Sequence, residues 1–190
     1  MTHRAVFLDK DGTLIENVPY NVDPNLIRLV PSAGPALRLL CERGYTFFVI
    51  TNQTGIAKGL FDEHALQSVQ KRINILLAEY DVSLQGFYYC PHSPYGVVKA
   101  YTQHCECHKP LPGLLYQAAR QHSIDLDKSW MIGDILHDVE AGRRAGCRTV
   151  LIDNGNETQW ELSDWRLPHF TVTDLYMAAT AIAQADGYAH

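Results

Sequence analysis

Arg4-Ala5-Val6-Phe7-Leu8-Asp9-Lys10-Asp11-Gly12-Thr13 is a short apolar run that delivers two carboxylates to a glycine turn. A run of this length reads as a buried strand, here Arg4 to Leu8, and Asp11-Gly12 reads as the turn that ends it. Asp9 then stands at a strand's carboxyl end, the edge of an open α/β sheet where ligands bind. A carboxylate there can attack phosphorus once a cation screens the repulsion between two anions.

Working outward, Tyr45 to Ile50, Phe87 to Tyr89, Trp130 to Ile132 and Arg148 to Ile152 are further compact apolar runs. Between them lie segments of helical period. Pro35 to Arg43 stops at Gly44, and Asp62 caps a segment to Tyr80 in which Leu66, Val69, Ile73, Leu76 and Leu77 share a face. Gly113 to His122, Ile135 to Ala145 and a last helix opened by Asp174 complete the set. Strands alternating with helices predict an α/β chain: a doubly wound, mainly parallel sheet covered on both faces. With 190 residues and no Pro/Gly/Ser-rich divider, residues 1–190 are expected to form one domain. The longest irregular stretch, Cys90 to Pro112, is long enough to predict a function of its own.

Composition excludes several classes of partner. A net charge of −5 with 16 dispersed Lys and Arg leaves no basic face for nucleic acid. No apolar run approaches bilayer length, so no membrane partner is expected. The chain enters its first strand without a charged, apolar leader, which predicts a cytoplasmic protein. In that compartment five cysteines argue against a disulfide framework, and the clustering of three of them points to a metal.

Three more clusters end at strand termini. Thr51, Asn52 and Gln53 follow a buried run, and the Thr51 hydroxyl and Asn52 amide can donate to a phosphoryl oxygen without adding charge. Lys109, next to Pro110 and Pro112, is an amine held by a restricted backbone. Gly133-Asp134-x-x-x-Asp138 opens a helix, and Asp134 can join Asp9 in holding a hard cation such as Mg²⁺ while leaving room for substrate phosphate. Two carboxylates near phosphorus allow Asp9 to act as nucleophile while Asp11 protonates the leaving oxygen and later activates water.

In this order, the clusters resemble the haloacid dehalogenase superfamily of aspartate-nucleophile phosphatases. Asp9-Lys10-Asp11-Gly12-Thr13 matches its first motif, Thr51 the second, Lys109 the third, and Gly133-Asp134 with Asp138 the fourth. The resemblance implies a Rossmann-like core and an aspartyl-phosphate on Asp9, with Asp11 as acid and base. It further implies catalytic Mg²⁺ held by Asp9, Asp134 and the backbone carbonyl of Asp11, with Lys109 balancing charge.

Cys90-Pro91-His92 and Cys105-Glu106-Cys107 supply three thiolates and an imidazole, a set that closes a tetrahedral structural Zn²⁺ site. His104 and His108 flank the second pair; His92 is the preferred fourth ligand, with a swap left open. Such a site, in a loop spanning 90–109, has no open position for water and so folds the loop rather than doing chemistry. This loop narrows the resemblance to a branch acting on heptose bisphosphates and histidinol phosphate, whose members are small cytoplasmic monomers without a large cap domain. The substrate is therefore expected to be a small phosphorylated metabolite, foremost a sugar bisphosphate. Histidinol phosphate and a non-catalytic phosphate-binding role are the alternatives.

The substrate-binding set is expected to be Thr51, Asn52, Gln53, Lys58 and His108. Two departures bear on it. The branch carries arginine where this chain has His108, and its heptose enzymes often carry lysine where this chain has Ile135. Histidine lacks the two-pronged fixed charge of arginine, which leaves compensation to Lys58 or another cation. Trp160 and Trp165 are expected to cover the sheet edge.

Overall fold

A computed structural model describes residues 3–187. Six strands, β1 (Ala5–Leu8), β2 (Thr46–Asn52), β3 (Leu84–Cys90), β4 (Trp130–Gly133), β5 (Arg148–Ile152) and β6 (Phe170–Val172), form one sheet of order β3-β2-β1-β4-β5-β6. Every neighbouring pair is parallel. Five helices connect or close it: α1 (Ala33–Cys41), α2 (Glu63–Ala78), α3 (Gly113–His122), α4 (Leu136–Ala145) and α5 (Leu175–Gly187).

Alternation along the strands sorts the core into two layers. Val6, Leu8, Phe47, Val49, Trp130 and Ile132 pack with Leu37 and Leu40 of α1, Val69 and Ile73 of α2, and Ala178 and Ile182 of α5. Ala5, Phe7, Phe48, Ile50 and Met131 face the other way, onto Leu114, Leu115 and Ala118 of α3 and Ala141 of α4. The double winding read from the sequence is present, and among the described residues no large cap domain stands between its elements.

Helix ends follow local chemistry. Asp62 accepts the Ala65 amide at 3.1 Å and opens α2; Asp174 accepts the Met177 amide at 2.8 Å and opens α5. At the C-terminus of α4, Gly146 takes φ +92°, the left-handed cap that glycine adopts without a Cβ penalty. The amino end of the sheet is fastened by Asp186 of α5, which accepts Arg4 at 2.9 Å, Arg148 at 2.7 Å and the Tyr45 hydroxyl.

The sequence reading differs from the structure at several points. α1 begins at Ala33 and ends at Cys41 rather than running from Pro35 to Arg43, and β3 starts three residues before Phe87. The sixth strand was unexpected: its three residues are short, and Phe170 and Thr171 are exposed, so no buried run announces it. Trp165 does not cover the sheet edge; it lies over the Arg144 guanidinium of α4 at 5.1 Å, and Trp160 is exposed. Within the Cys90 to Pro112 stretch the one regular piece is a 3₁₀ turn, Lys99–Tyr101. Among the described residues no helix is long and apolar enough to cross a membrane.

Candidate active site

The central strands β1, β2 and β4 end side by side, and their terminal residues meet over one point. The Asp9 amide donates to the Ile132 carbonyl at 2.9 Å, which ties the start of the Asp-Lys-Asp turn to β4. Lys109, only 2 % exposed, reaches in from the end of the long loop. Its ammonium donates to Asp9 Oδ1 at 2.6 Å, Asp138 Oδ1 at 2.6 Å and the Ile50 carbonyl at 2.9 Å. An ammonium has three donors, so all are engaged and the amine is fixed. Burial works against its charge, but Asp138 and then Asp9 more than offset that, and Lys109 stays protonated above the usual lysine range.

Asn52 holds the same loop by its backbone. Its side chain accepts the Lys109 amide at 3.0 Å and donates to the Lys109 carbonyl at 3.1 Å, so both of its polar atoms are committed to positioning Lys109. Gln53 donates to Thr51 Oγ1 at 2.9 Å and to Asp11 Oδ2 at 3.3 Å. The other Asp11 oxygen receives Lys10 Nζ at 2.8 Å, from a lysine that is 1 % exposed. Burial is the main reason that the Asp11 carboxyl lies above its ordinary range, against the pull of Lys10.

Asp134 sits at the end of β4, its Oδ1 3.3 Å from Thr13 Oγ1 and its Oδ2 2.6 Å from Asn156 Nδ2. Burial, then repulsion from Asp9, pushes it up to about 6. Asp138 is fully buried and also raised by that burial; both of its oxygens are occupied, by Lys109 and by the Ile135 amide at 3.3 Å. Gly12 turns the chain at φ +85°, and a Cβ there would collide with Asp134 Oδ2 and Asn156 Nδ2, so the residue must be glycine.

One oxygen from each of Asp9, Asp134 and Asp138 lies within 4.8 Å of the others. Three carboxylates against the single ammonium of Lys109 leave a negative excess among oxygen donors, which is the environment a hard divalent cation requires. Asp138 is paired with the Lys109 ammonium at 2.6 Å, whereas Asp134 meets the neutral Thr13 and Asn156 side chains, so Asp134 together with the second oxygen of Asp9 fits such an ion best. The residues fit Mg²⁺.

A second cluster draws on the loop ahead of Lys109, from Cys90 to Cys107. The sulfurs of Cys90, Cys105 and Cys107 lie 3.1 to 3.5 Å apart, and His92 Nδ1 lies 3.3 Å from Cys107 and 3.7 Å from Cys90. His108 Nδ1 approaches only Cys90, at 3.7 Å, so His92 is the imidazole that the fold gathers with the thiols. Without an ion, hydrogen bonds from its neighbours, Cys90 first, hold the Cys107 thiol down at about 5, while hydrogen bonding to Cys107 and burial push Cys90 up. The soft donor set and its closeness fit Zn²⁺.

Two cavities share Thr54, and one of them reaches Asp11. One, of about 220 Å³, is lined by Lys10, Asp11, Tyr20, Asn52 and Gln53. The other, of about 450 Å³, runs along the metal loop past Lys58, His104 and His108. Lys58 of the larger, outer one donates from Nζ to the hydroxyl of Tyr20, which lines the smaller, inner one, at 2.6 Å. Among the residues expected to bind substrate, Lys58 and His108 thus line the outer cavity, while Asn52 and Gln53 line the inner one.

Sequence reasoning missed Asn154, Asn156 and Glu63. Glu63 at the start of α2 accepts Tyr89 at 3.0 Å and Tyr101 at 2.8 Å, fastening the metal loop a second time. The pair of asparagines around Gly155 was the available signal for the loop after β5.

The HAD-hydrolase-like family model matches residues 106–178. The D-glycero-beta-D-manno-heptose-1,7-bisphosphate 7-phosphatase of Yersinia pestis is 38% identical over 167 residues, covering 86% of this chain and 89% of that protein. The chain belongs to the haloacid-dehalogenase-like phosphatases. The protein of the same name from Haemophilus ducreyi is 41% identical over 157 residues, covering 82% of this chain and 86% of that one. Among solved structures, D,D-heptose 1,7-bisphosphate phosphatase from B. bronchiseptica, complexed with magnesium and phosphate, superposes with a TM-score of 0.82 at 29% identity, covering 96% of this chain and 99% of that one. A HAD-like phosphatase from Mesorhizobium loti gives a TM-score of 0.84 at 32% identity, covering 96% and 87%. As a haloacid-dehalogenase-like phosphatase, this protein is a hydrolase of phosphoric monoesters.

Proposed function

We propose that this chain removes the C7 phosphate of D-glycero-β-D-manno-heptose 1,7-bisphosphate, a cytoplasmic step toward a lipopolysaccharide precursor. The observation that carries the reading is the pair of cavities meeting at Thr54. The inner one is lined by Asp11 and Lys10, and the outer one offers Lys58 and His108 to a second anionic group. The names of the relatives support it, and a reducing cytoplasm suits three clustered thiols.

In this reading Asp9 Oδ2 attacks phosphorus while Oδ1 stays on Lys109. The bond from phosphorus to the sugar oxygen breaks with its electron pair on that oxygen, and Asp11 supplies the proton. An aspartyl-phosphate remains on Asp9. Asp11, now ionised, takes a proton from water as the water oxygen bonds to phosphorus, and Asp9 leaves as a carboxylate. Lys109 stays charged throughout and offsets the anions, and the Thr51 hydroxyl, which accepts from Gln53, is left free to donate to a phosphoryl oxygen. Asp9, Asp134 and the Asp11 carbonyl would hold Mg²⁺, which when bound would supply positive charge at the transferring phosphoryl group. Zn²⁺ on Cys90, His92, Cys105 and Cys107 would hold the loop that carries Lys109. The chain works as a monomer of one domain.

Measured kcat/KM across heptose 1,7-bisphosphate, fructose 1,6-bisphosphate, histidinol phosphate and simple monophosphates, with and without Mg²⁺, tests the reading. The heptose ester is expected to lead by tenfold or more, and a lead for histidinol phosphate overturns the substrate assignment. Asp9→Asn is expected to abolish turnover of every ester with Tm unchanged; retained turnover removes Asp9 as nucleophile.

A further inference from the structure

The loop after β5 closes on the carboxylate cradle from outside the four motifs. Asn154 Nδ2 donates to the Gly12 carbonyl at 2.8 Å, the Asn156 amide donates back to Asn154 Oδ1 at 3.2 Å, and Asn156 Nδ2 donates to Asp134 Oδ2 at 2.6 Å. Gly155, at φ +88°, allows the chain to turn between the two asparagines. The brace therefore begins on the Asp-Gly turn and ends on Asp134, in the space that a side chain at Gly12 would fill. Asp134 Oδ1 has only the longer Thr13 contact at 3.3 Å.

We propose that Asn156, braced through Asn154 against the Asp11-Gly12 turn, confines Asp134 to one metal-facing oxygen and so makes the cradle selective for Mg²⁺ over Ca²⁺. This rests on the reading that Asp9 and Asp134 hold the ion. Mg²⁺ demands octahedral geometry at about 2.0–2.1 Å, keeps several waters and is served by single carboxylate oxygens; Ca²⁺ takes six to eight ligands at about 2.3–2.6 Å and readily uses both oxygens of one carboxylate. A carboxylate with one oxygen pinned by an amide chelates a larger ion with both oxygens only by giving that hydrogen bond up. Asn156 is thus a positioning residue, acting through Asp134.

The test titrates the full-length chain with Mg²⁺ or Ca²⁺ alone and reads the ion-dependent rise in Tm, which reports binding without turnover. Outer-shell partners of metal ligands typically set about 10- to 100-fold in affinity. Asn156→Ala is expected to raise the Mg²⁺ midpoint about tenfold and leave the Ca²⁺ midpoint unchanged or lower, with the metal-free Tm preserved. Asn154→Ala, one link back, is expected to move the ratio in the same direction by less. Equal shifts for both ions in the two variants, or no shift for either, overturn the inference. Asp134→Asn separates the two levels of argument: loss of the Mg²⁺-dependent rise keeps the cradle reading standing whatever Asn156 does, and a retained rise overturns the cradle and this inference together.

Discussion

Lys109 is the residue on which the buried charges balance, since Asp9 and Asp138 each lie 2.6 Å from its ammonium. Lys109→Met leaves both carboxylates buried without a counter-charge. Removing one partner of such a group costs about 3–5 kcal/mol, so chemical denaturation is expected to show a loss of that size, partly recovered by adding Asp138→Asn. Asp134 gives the pH dependence. Its folded value of about 6 lies above the ordinary 3.8, so the metal-free native state binds the extra proton. Stability from this group is present below pH 4 and is lost as pH rises through about 6. A cation needs the ionised form, so the rise in Tm on adding Mg²⁺ is expected to be larger at pH 7.5 than at pH 5; an equal rise at both would show that Asp134 does not meet the ion. Asp9, Asp11 and Asp134 were legible because each stands beside a turn signal at or just past a strand end, and Lys109, which lies at the end of the long loop and not at a strand terminus, because prolines follow it. Asn156 was not, because its importance comes from a partner 22 positions away that only the fold brings near.

At the scale of elements, the metal loop is fastened three times: by the Cys/His cluster, by Glu63 on Tyr89 and Tyr101, and by the Val97 and Val98 amides on the Ala57 carbonyl at 2.7 and 2.9 Å. Under the proposed zinc assignment, chelation is therefore expected to free the Cys105 to Lys109 end while the middle of the loop stays docked. Limited proteolysis should cut near Cys105 before it cuts near Val97, with turnover falling in step. Cleavage at both ends together, or full turnover in the chelated protein, would contradict that arrangement. The cluster was readable from Cys and His spacing alone, since ligand chemistry is local. The Glu63 tether was not, because an acidic residue in the first turn of a helix has a sufficient local reason to be there. Strands β1, β2, β4 and β5 were readable because burial on both faces demands continuous apolar runs. β6, at the rim, meets no such demand, and three half-exposed residues carry no signal.

Across the whole molecule the two ends of the sheet do different work. The carboxyl ends carry the clustered carboxylates and Lys109, and the amino end carries the Asp186 staple that joins Arg4, Tyr45 and Arg148 to α5. Asp186→Ala is expected to cost about 1.5–3 kcal/mol, the range for hydrogen bonds to charged groups, read as a lower denaturation midpoint with kcat/KM unchanged; a fall in kcat/KM at full stability would link the two ends.

The strand order has a further consequence during synthesis. β1 is made first yet lies between β2 and β4, with Val6 paired to Trp130 in the finished sheet. As the chain leaves the ribosome, β1 therefore waits with one unpaired edge until everything between β2 and β4 has been translated. Closure of the middle of the sheet is the slow, long-range event. Over that interval the open edge is exposed to misassembly, and the Asp-Gly turn gains its brace only after β5 has been made, once the following loop can reach back to it.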